Sequence, residues 1–321
     1  MTKRQSVAER VLPFALLLLC GVIFGLLFSV NVIAVQGGVP AIAYAFWQSM
    51  GAGLLLLIYA TFRGNHLRFS FEHLRTYFML GILGMAFPLS LLAYVAPNVP
   101  PGPLTLVLVL SPLLTYVFSV LLRLDSFRWL SILGIVFGIA GVALAVLPES
   151  ALPEEGMAGW LLLGVLAPVS FAAVNVLAGK YRPPASASES LSAGLLLASA
   201  AVLVPVMFLT DQVFAFRAPA EVNLAVLWAI LINAVFWISF FEIVRMAGPV
   251  FFAQFNFLAV MCGIGWAYVV FSQIPSVFIW GAAALLFAGL ALVLTGTRRA
   301  AAAAVAADST PAEGGHGEPT S

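Results

Sequence analysis

The chain has 321 residues, 63% hydrophobic and 8% charged, with a net charge of +1 and a mean hydropathy of +1.09. A soluble domain carries about 25% charged residues, so this chain lacks the polar surface to live in water and reads as an all-α, polytopic membrane protein. The near-neutral charge speaks against nucleic acid as a partner and leaves the lipid bilayer and a small-molecule solute; it does not set the oligomeric state.

A transmembrane helix needs about 20 mostly apolar residues. Ten runs qualify: 11–35, 41–62, 77–96, 102–122, 129–147, 159–179, 191–209, 222–244, 249–271 and 277–296. The first follows Lys3, Arg4 and Arg10, as a signal peptide would. It is too long for a signal core of 7–15 residues, so an uncleaved first helix is expected. The stretch 65–75 alternates Phe69, Phe71 and Leu74 with basic residues and reads as a short interfacial segment before the third helix. Residues 149–158 form an outer linker with Glu149, Glu154 and Glu155. From Ala300 to Ser321 an alanine run gives way to polar residues, and a disordered cytoplasmic tail is expected.

Basic residues collect on the cytoplasmic side of membrane proteins. With residues 1–10 inside and ten crossings, the inner segments hold Lys3, Arg4, Arg10, Arg63, Arg68, Arg75, Arg123, Arg128, Lys180, Arg182, Arg245, Arg298 and Arg299. The outer segments hold Arg217 alone. A helix missed or added would scramble this bias. Both termini are therefore expected in the cytoplasm.

Cys20 and Cys262 lie in apolar runs and read as small buried hydrophobes. His66, His73 and His316 fall outside the runs, and no metal-ligand spacing occurs. There is no GxxxxGK[ST] loop, so ATP hydrolysis is not expected, and no cofactor is implied. An intramembrane enzyme would need a nucleophile with its base, or a metal cluster. With no histidine and a single acid in the runs, the chain does not read as an enzyme.

The chain repeats itself. Val30-Asn31-Val32-Ile33-Ala34 returns as Val174-Asn175-Val176-Leu177-Ala178, each late in an apolar run. Asparagine occurs only seven times in the chain, which makes a chance match of this pair uncommon. Ala140-Gly141-Val142-Ala143-Leu144 returns 148 positions later as Ala288-Gly289-Leu290-Ala291-Leu292. The halves are then 11–148 and 159–299, with five helices each. Five is odd, so the second half must lie inverted, and polar positions of both meet near the midplane. Gly134, Gly138 and Gly141 stripe the fifth helix, and Ala282, Gly289 and Gly296 the tenth. Small residues of this kind let transmembrane backbones approach closely.

These residues give the chain a resemblance to the drug/metabolite transporter superfamily, with two tandem EamA-type repeats. The resemblance rests on Ser111-Pro112-Leu113-Leu114, the loop Arg123 to Trp129 with Asp125, and Gly134 to Leu147 with its Gly-Val-Ala-Leu, and covers about residues 11–299. The chain departs from the pattern at Gln48, where an arginine is common, at Asp125, where glutamate is usual, and at Gln273 in the second half. The resemblance implies a bacterial inner-membrane protein that exports amino acids or related metabolites by alternating access. Aromatic amino-acid exporters are similar in architecture. It also implies a cavity between helices 1–4 and 6–9.

Polar and aromatic residues in those helices are the candidates for binding a solute. Asn31 and Asn175 come first, because an amide at membrane depth should face a partner or a wet cavity; the alternative is a helix–helix hydrogen bond. Tyr44, Trp47 and Gln48 share one helical face and could stack a flat ligand beside an amide, or sit in an interfacial aromatic belt. Tyr94, Ser111, Thr115, Asn233 and Trp237 follow, with Gln254 and Asn256, of which at most one should face the cavity. Pro88, Pro112, Pro168 and Pro205 interrupt helices and each frees a carbonyl. Glu242 is the one acid well inside a run, a possible proton-coupling group unless Arg245, three residues on, pairs with it. A lipid-handling or scaffold protein without a solute path is the alternative function; there the asparagines would only hold helices together.

Overall fold

The structure, a computed structural model, describes residues 7–124, 126–146, 156–184, 186–247, 249–252, 255–272 and 274–308. Among them there is helix and loop and no strand. The helices are α1 (Val7–Gln36), α2 (Ala41–Phe62), α3 (Phe71–Asn98), α4 (101–121), α5 (Trp129–Val146), α6 (Met157–Tyr181), α7 (Ser188–Leu209), α8 (Ala220–Ala247), α9 (Phe255–Phe271) and α10 (Val277–Asp308). A single turn, Pro249–Phe252, precedes α9. Lys3, Arg4, Asp125, the acids Glu149, Glu154 and Glu155, Gln254, Gln273 and residues 309–321 lie outside the described residues.

Six helices, α1, α2, α3, α6, α7 and α8, are long and apolar enough to cross a bilayer. The other four carry shorter apolar stretches, Leu110–Leu121, Trp129–Gly141, Leu258–Phe271 and Val277–Gly289. The 22 residues of α2 reach about 33 Å at 1.5 Å per residue, enough for a hydrocarbon core of about 30 Å. Leu54, Leu55 and Ile58 of α2, Val136 and Ile139 of α5, and Trp228, Leu231 and Val235 of α8 point outward. Lipid satisfies such a surface and water does not. The chain is a multi-pass membrane protein.

The packing in the two halves corresponds. α1 packs on α8 and α9, and α6 packs on α3 and α4. α2 lies along α7, where Ser49 Oγ and Ser199 Oγ share a 3.0 Å hydrogen bond, and α5 lies along α10. The last contact is made by the small residues. A Cβ on Gly289 would stand 2.4 Å from the Gly134 carbonyl oxygen, and one on Gly141 would stand 3.0 Å from that of Ala282. The pairing is antiparallel. It is also reciprocal, because a shift of 148 positions carries Gly141 onto Gly289 and Gly134 onto Ala282.

The main apolar core draws on α1 to α4 and α6 to α9. A smaller core joins α4, α9 and α10 through Leu110, Leu113, Ile264 and Leu286.

Three of the four prolines sit at helix irregularities. In α3 the backbone loosens into a π turn at Ile82–Ala86, where Phe87 N–H reaches back to the Ile82 carbonyl. The next carbonyl in that register, Leu83, would need the N–H of Pro88, which does not exist. Ser170 Oγ of α6 donates to it instead, at 2.6 Å. α4 tightens into a 3₁₀ turn at Val107–Val109 ahead of Pro112, and α6 breaks at Val165 ahead of Pro168. Pro205 departs from the expectation and lies within the continuous helix Ser188–Leu209.

Two other expectations are corrected. α3 begins at Phe71 rather than residue 77, because its first turns carry Glu72, His73, Arg75 and Thr76, which a hydropathy window discards. His73 is thus helical and buried, not outside the run. The last helix continues to Asp308, into the stretch expected to be disordered. Alanine is the strongest helix former, and low core-forming content alone does not stop it.

Candidate functional site

A cavity lies where the two halves meet. Its wall comes from α1 (Phe24), α4 (Leu108, Ser111), α6 (Phe171, Val174, Asn175), α8 (Phe236, Trp237, Phe240), the turn at Phe252, and α9 (Phe255, Asn256). Phe24 and Phe236 approach to 4.6 Å between ring centroids, Phe252 stacks on Phe255 at 4.6 Å, and Phe240 meets Phe252 edge-on at 4.7 Å. Such pairs add about 0.5–1.5 kcal/mol each beyond simple burial. The polar groups on this wall are Ser111, Asn175 and Asn256. None of the described lining residues is charged.

The local sequence places these groups. Asn175 is held by its bond from Nδ2 to Thr115 Oγ1 (3.2 Å), which ties α6 to α4. Thr115 in turn donates to the Ser111 carbonyl, at 2.7 Å. The 3₁₀ turn of α4 ends two residues before Ser111, so the backbone is irregular close to where it faces the cavity. Gly84, in the π turn of α3, has its open side against Trp237: a Cβ there would come within 2.7 Å of Trp237 Cη2. The absent side chain leaves room for the indole.

The cavity offers about 20 Å³ to the centre of a water molecule. That is room for about one water. In this arrangement the walls leave no room for a metabolite. Both ends of the α2–α7 pair are fastened. At the α2 N-terminus, Ile42 N–H donates to Gln212 Oε1 (3.1 Å) and Trp47 Nε1 to the Phe214 carbonyl (3.0 Å). At its C-terminus, Asn65 Nδ2 donates to Glu189 Oε1 (2.7 Å) and Ser190 Oγ to the Asn65 carbonyl (3.0 Å).

Of the sequence candidates, the structure brings Ser111, Asn175, Trp237 and Asn256 to the cavity, with Thr115 directly behind. It takes others elsewhere. Gln48 and Asn233 bind each other, Nδ2 to Oε1 at 2.8 Å, both buried. Trp47 packs on Phe216 and the loop after α7. Tyr44 is fully buried on α2, which contributes nothing to the described wall. Tyr94 is 57% exposed and meets Trp160 on the outside. Asn31 is buried, outside the described wall, and its Oδ1 has no hydrogen-bond partner among the described residues. Gln254 lies outside the described residues. Glu242 is paired with Arg245 and accepts a bond from Ser188 Oγ at 3.0 Å.

Sequence reasoning missed the phenylalanines. One signal was present: Phe171 precedes Asn175 by one helical turn of α6. An aromatic at i−4 from an intramembrane amide shares its face. No group of three or more metal-ligating side chains occurs among the described residues.

The comparison with curated proteins gave no match. Among solved structures, one known only as "Crystal structure of protein" aligns with a TM-score of 0.61 at 20% identity, over 92% of this chain and 99% of that one. That likeness is one of fold. The profile of the EamA-like transporter family matches residues 12–147, the stretch of α1 through α5. Over that stretch the chain is similar to the EamA-like transporter family, and the likeness points to a membrane transporter of the drug/metabolite type.

Proposed function

We propose that the chain is a secondary transporter of ten spans in two inverted five-helix halves. It carries a small amphipathic metabolite, an amino acid or a related compound, outward by alternating access through the aromatic cavity. The observation that carries this reading is the wall itself: rings from both halves, three polar tips, and no described charge. Such a wall suits a solute with a flat apolar body and a hydrogen-bonding edge. The antiparallel, reciprocal contact of α5 with α10 supports the inversion. Irregular backbone in α3, α4 and α6, next to the cavity, is what transporters built from inverted repeats use at their sites. The bias of basic residues supports cytoplasmic termini, and the family resemblance supports a bacterial inner membrane as the location. Glu242 is occupied by Arg245 and Ser188, so the reading assigns it no proton-carrying role.

The test is flux in proteoliposomes, with a panel of labelled amino acids and related metabolites, with and without a pH gradient. At least one aromatic or amphipathic panel member exchanges, and Asn175→Leu slows it by about tenfold or more, the loss of one well-placed polar contact. Flux unaltered in Asn175→Leu and Ser111→Ala, with folding unaltered, would return the cavity to a packing role.

A further inference from the structure

A second cavity lies away from the aromatic one, between the connection from α2 to α3 and the start of α7. It starts with the way α2 stops. Gly64 takes φ +73, the Gly64 N–H bonds the Thr61 carbonyl and the Asn65 N–H the Ala60 carbonyl, at 3.0 and 2.8 Å. This left-handed cap closes the helix and needs glycine. The chain then crosses the bundle end through His66 and Arg68 to α3. There Ser70 Oγ holds His73 Nδ1 at 2.7 Å, and His73 Nε2 lies 3.0 Å from Ser186 Oγ of the second half. The two halves thus close around about 190 Å³ of space open to the centre of a water molecule, an order of magnitude more than the aromatic cavity.

The chemistry of this wall is one-sided. Arg68, His66 and His73 face it with Asn65, Ser186 and Ser190, and no carboxylate is among its described lining residues. The nearby Glu189 is engaged by Asn65. The N-terminus of α7 adds its backbone dipole, since Ala187 and Ser190 are in the wall. Arginine offers a planar fork matched to phosphate oxygens. Phe62, Phe69 and Phe71, on the same connection, are exposed rings that belong at the level of lipid headgroups.

We propose that this cavity binds a phosphate-bearing anion, gripped between Arg68 and His66 of the first half and Ser186 of the second. The chemistry is shared by a lipid phosphate headgroup and by free phosphate. The proposal stands apart from the transport reading, because it is tested by binding alone.

The experiment follows thermal unfolding of the full-length protein in neutral detergent, titrated with inorganic phosphate against chloride at matched ionic strength. A second arm compares nanodiscs of phosphatidylcholine with and without phosphatidylglycerol. Either anion raises the unfolding temperature. Arg68→Gln/His66→Gln weakens that response by about tenfold or more, and Arg68→Lys keeps part of it. A response to phosphatidylglycerol alone assigns the site to lipid, and a response to inorganic phosphate assigns it to a free anion. Both replaced side chains are exposed, so the unliganded unfolding temperature should not change. No response to either anion, or an equal response in the double variant, overturns the proposal.

Discussion

A buried amide in this protein does one of three things, and its neighbours decide which. Asn175 reaches a cavity, Asn233 closes on Gln48, and Asn31 keeps an oxygen without a partner among the described residues. In lipid, an interhelical bond such as the second contributes about 0.6–1.7 kcal/mol. Gln48→Leu and Asn233→Leu should each cost about that much. The double variant should cost less than their sum, since it leaves no orphaned amide. Reversible unfolding in mixed micelles measures the cycle; strictly additive costs would mean the two amides do not interact. Flux should survive in all three, because the pair lies off the cavity wall. Asn31→Leu is the complementary case. Removing an unpaired buried oxygen should leave stability unchanged or raised.

At the scale of the helix, irregularity is matched to a partner. Pro88 deprives the Leu83 carbonyl of a donor, and Ser170 supplies one from α6. Ser170→Ala should therefore destabilise the protein by about 1–3 kcal/mol, the cost of a buried unpaired carbonyl. In a Pro88→Ala background, where residue 88 has its own N–H, the same change should cost much less. Equal costs in both backgrounds would refute the pairing of Ser170 with the proline break. The α5–α10 contact is the opposite case, regular helices held by absent side chains. Gly289→Leu places bulk against the backbone of Gly134, and overpacking of this kind costs about 1–3 kcal/mol. The loss is read as a lower unfolding temperature.

For the whole molecule, the small cavity and the two fastened ends bear on the proposed transport. Asn65 and Glu189 close one end of the α2–α7 pair, and Gln212 and Phe214 the other. A carrier of alternating access must release one end at a time. In a Cys20→Ala/Cys262→Ala background, Asn65→Cys/Glu189→Cys bridged by a short bis-thiol reagent should arrest flux, and reductant should restore it. Continued flux through the bridged protein would exclude opening at that end. Sidedness is a separate question. An impermeant maleimide should reach Arg63→Cys and Arg123→Cys from one side of the membrane and Arg217→Cys from the other. Any other pattern removes the inverted arrangement.

Composition and hydropathy determined the membrane, the number of apolar runs and the places where three prolines disturb helices, because lipid demands long apolar segments with every backbone group satisfied. The small residues marked α5 and α10 as helices open to close approach, since that depends on side chains that are missing; that they meet each other was decided by tertiary structure. The wall of the cavity was decided by tertiary structure. A phenylalanine in a membrane helix is equally at home in lipid, in the core or on a ligand, and only the rotation of Phe24, Phe171, Phe236 and Phe240 against their neighbours turned them inward. The same holds for the amides. Gln48 finds Asn233, 185 positions away, and no local pattern records which of two buried polar groups will meet its match.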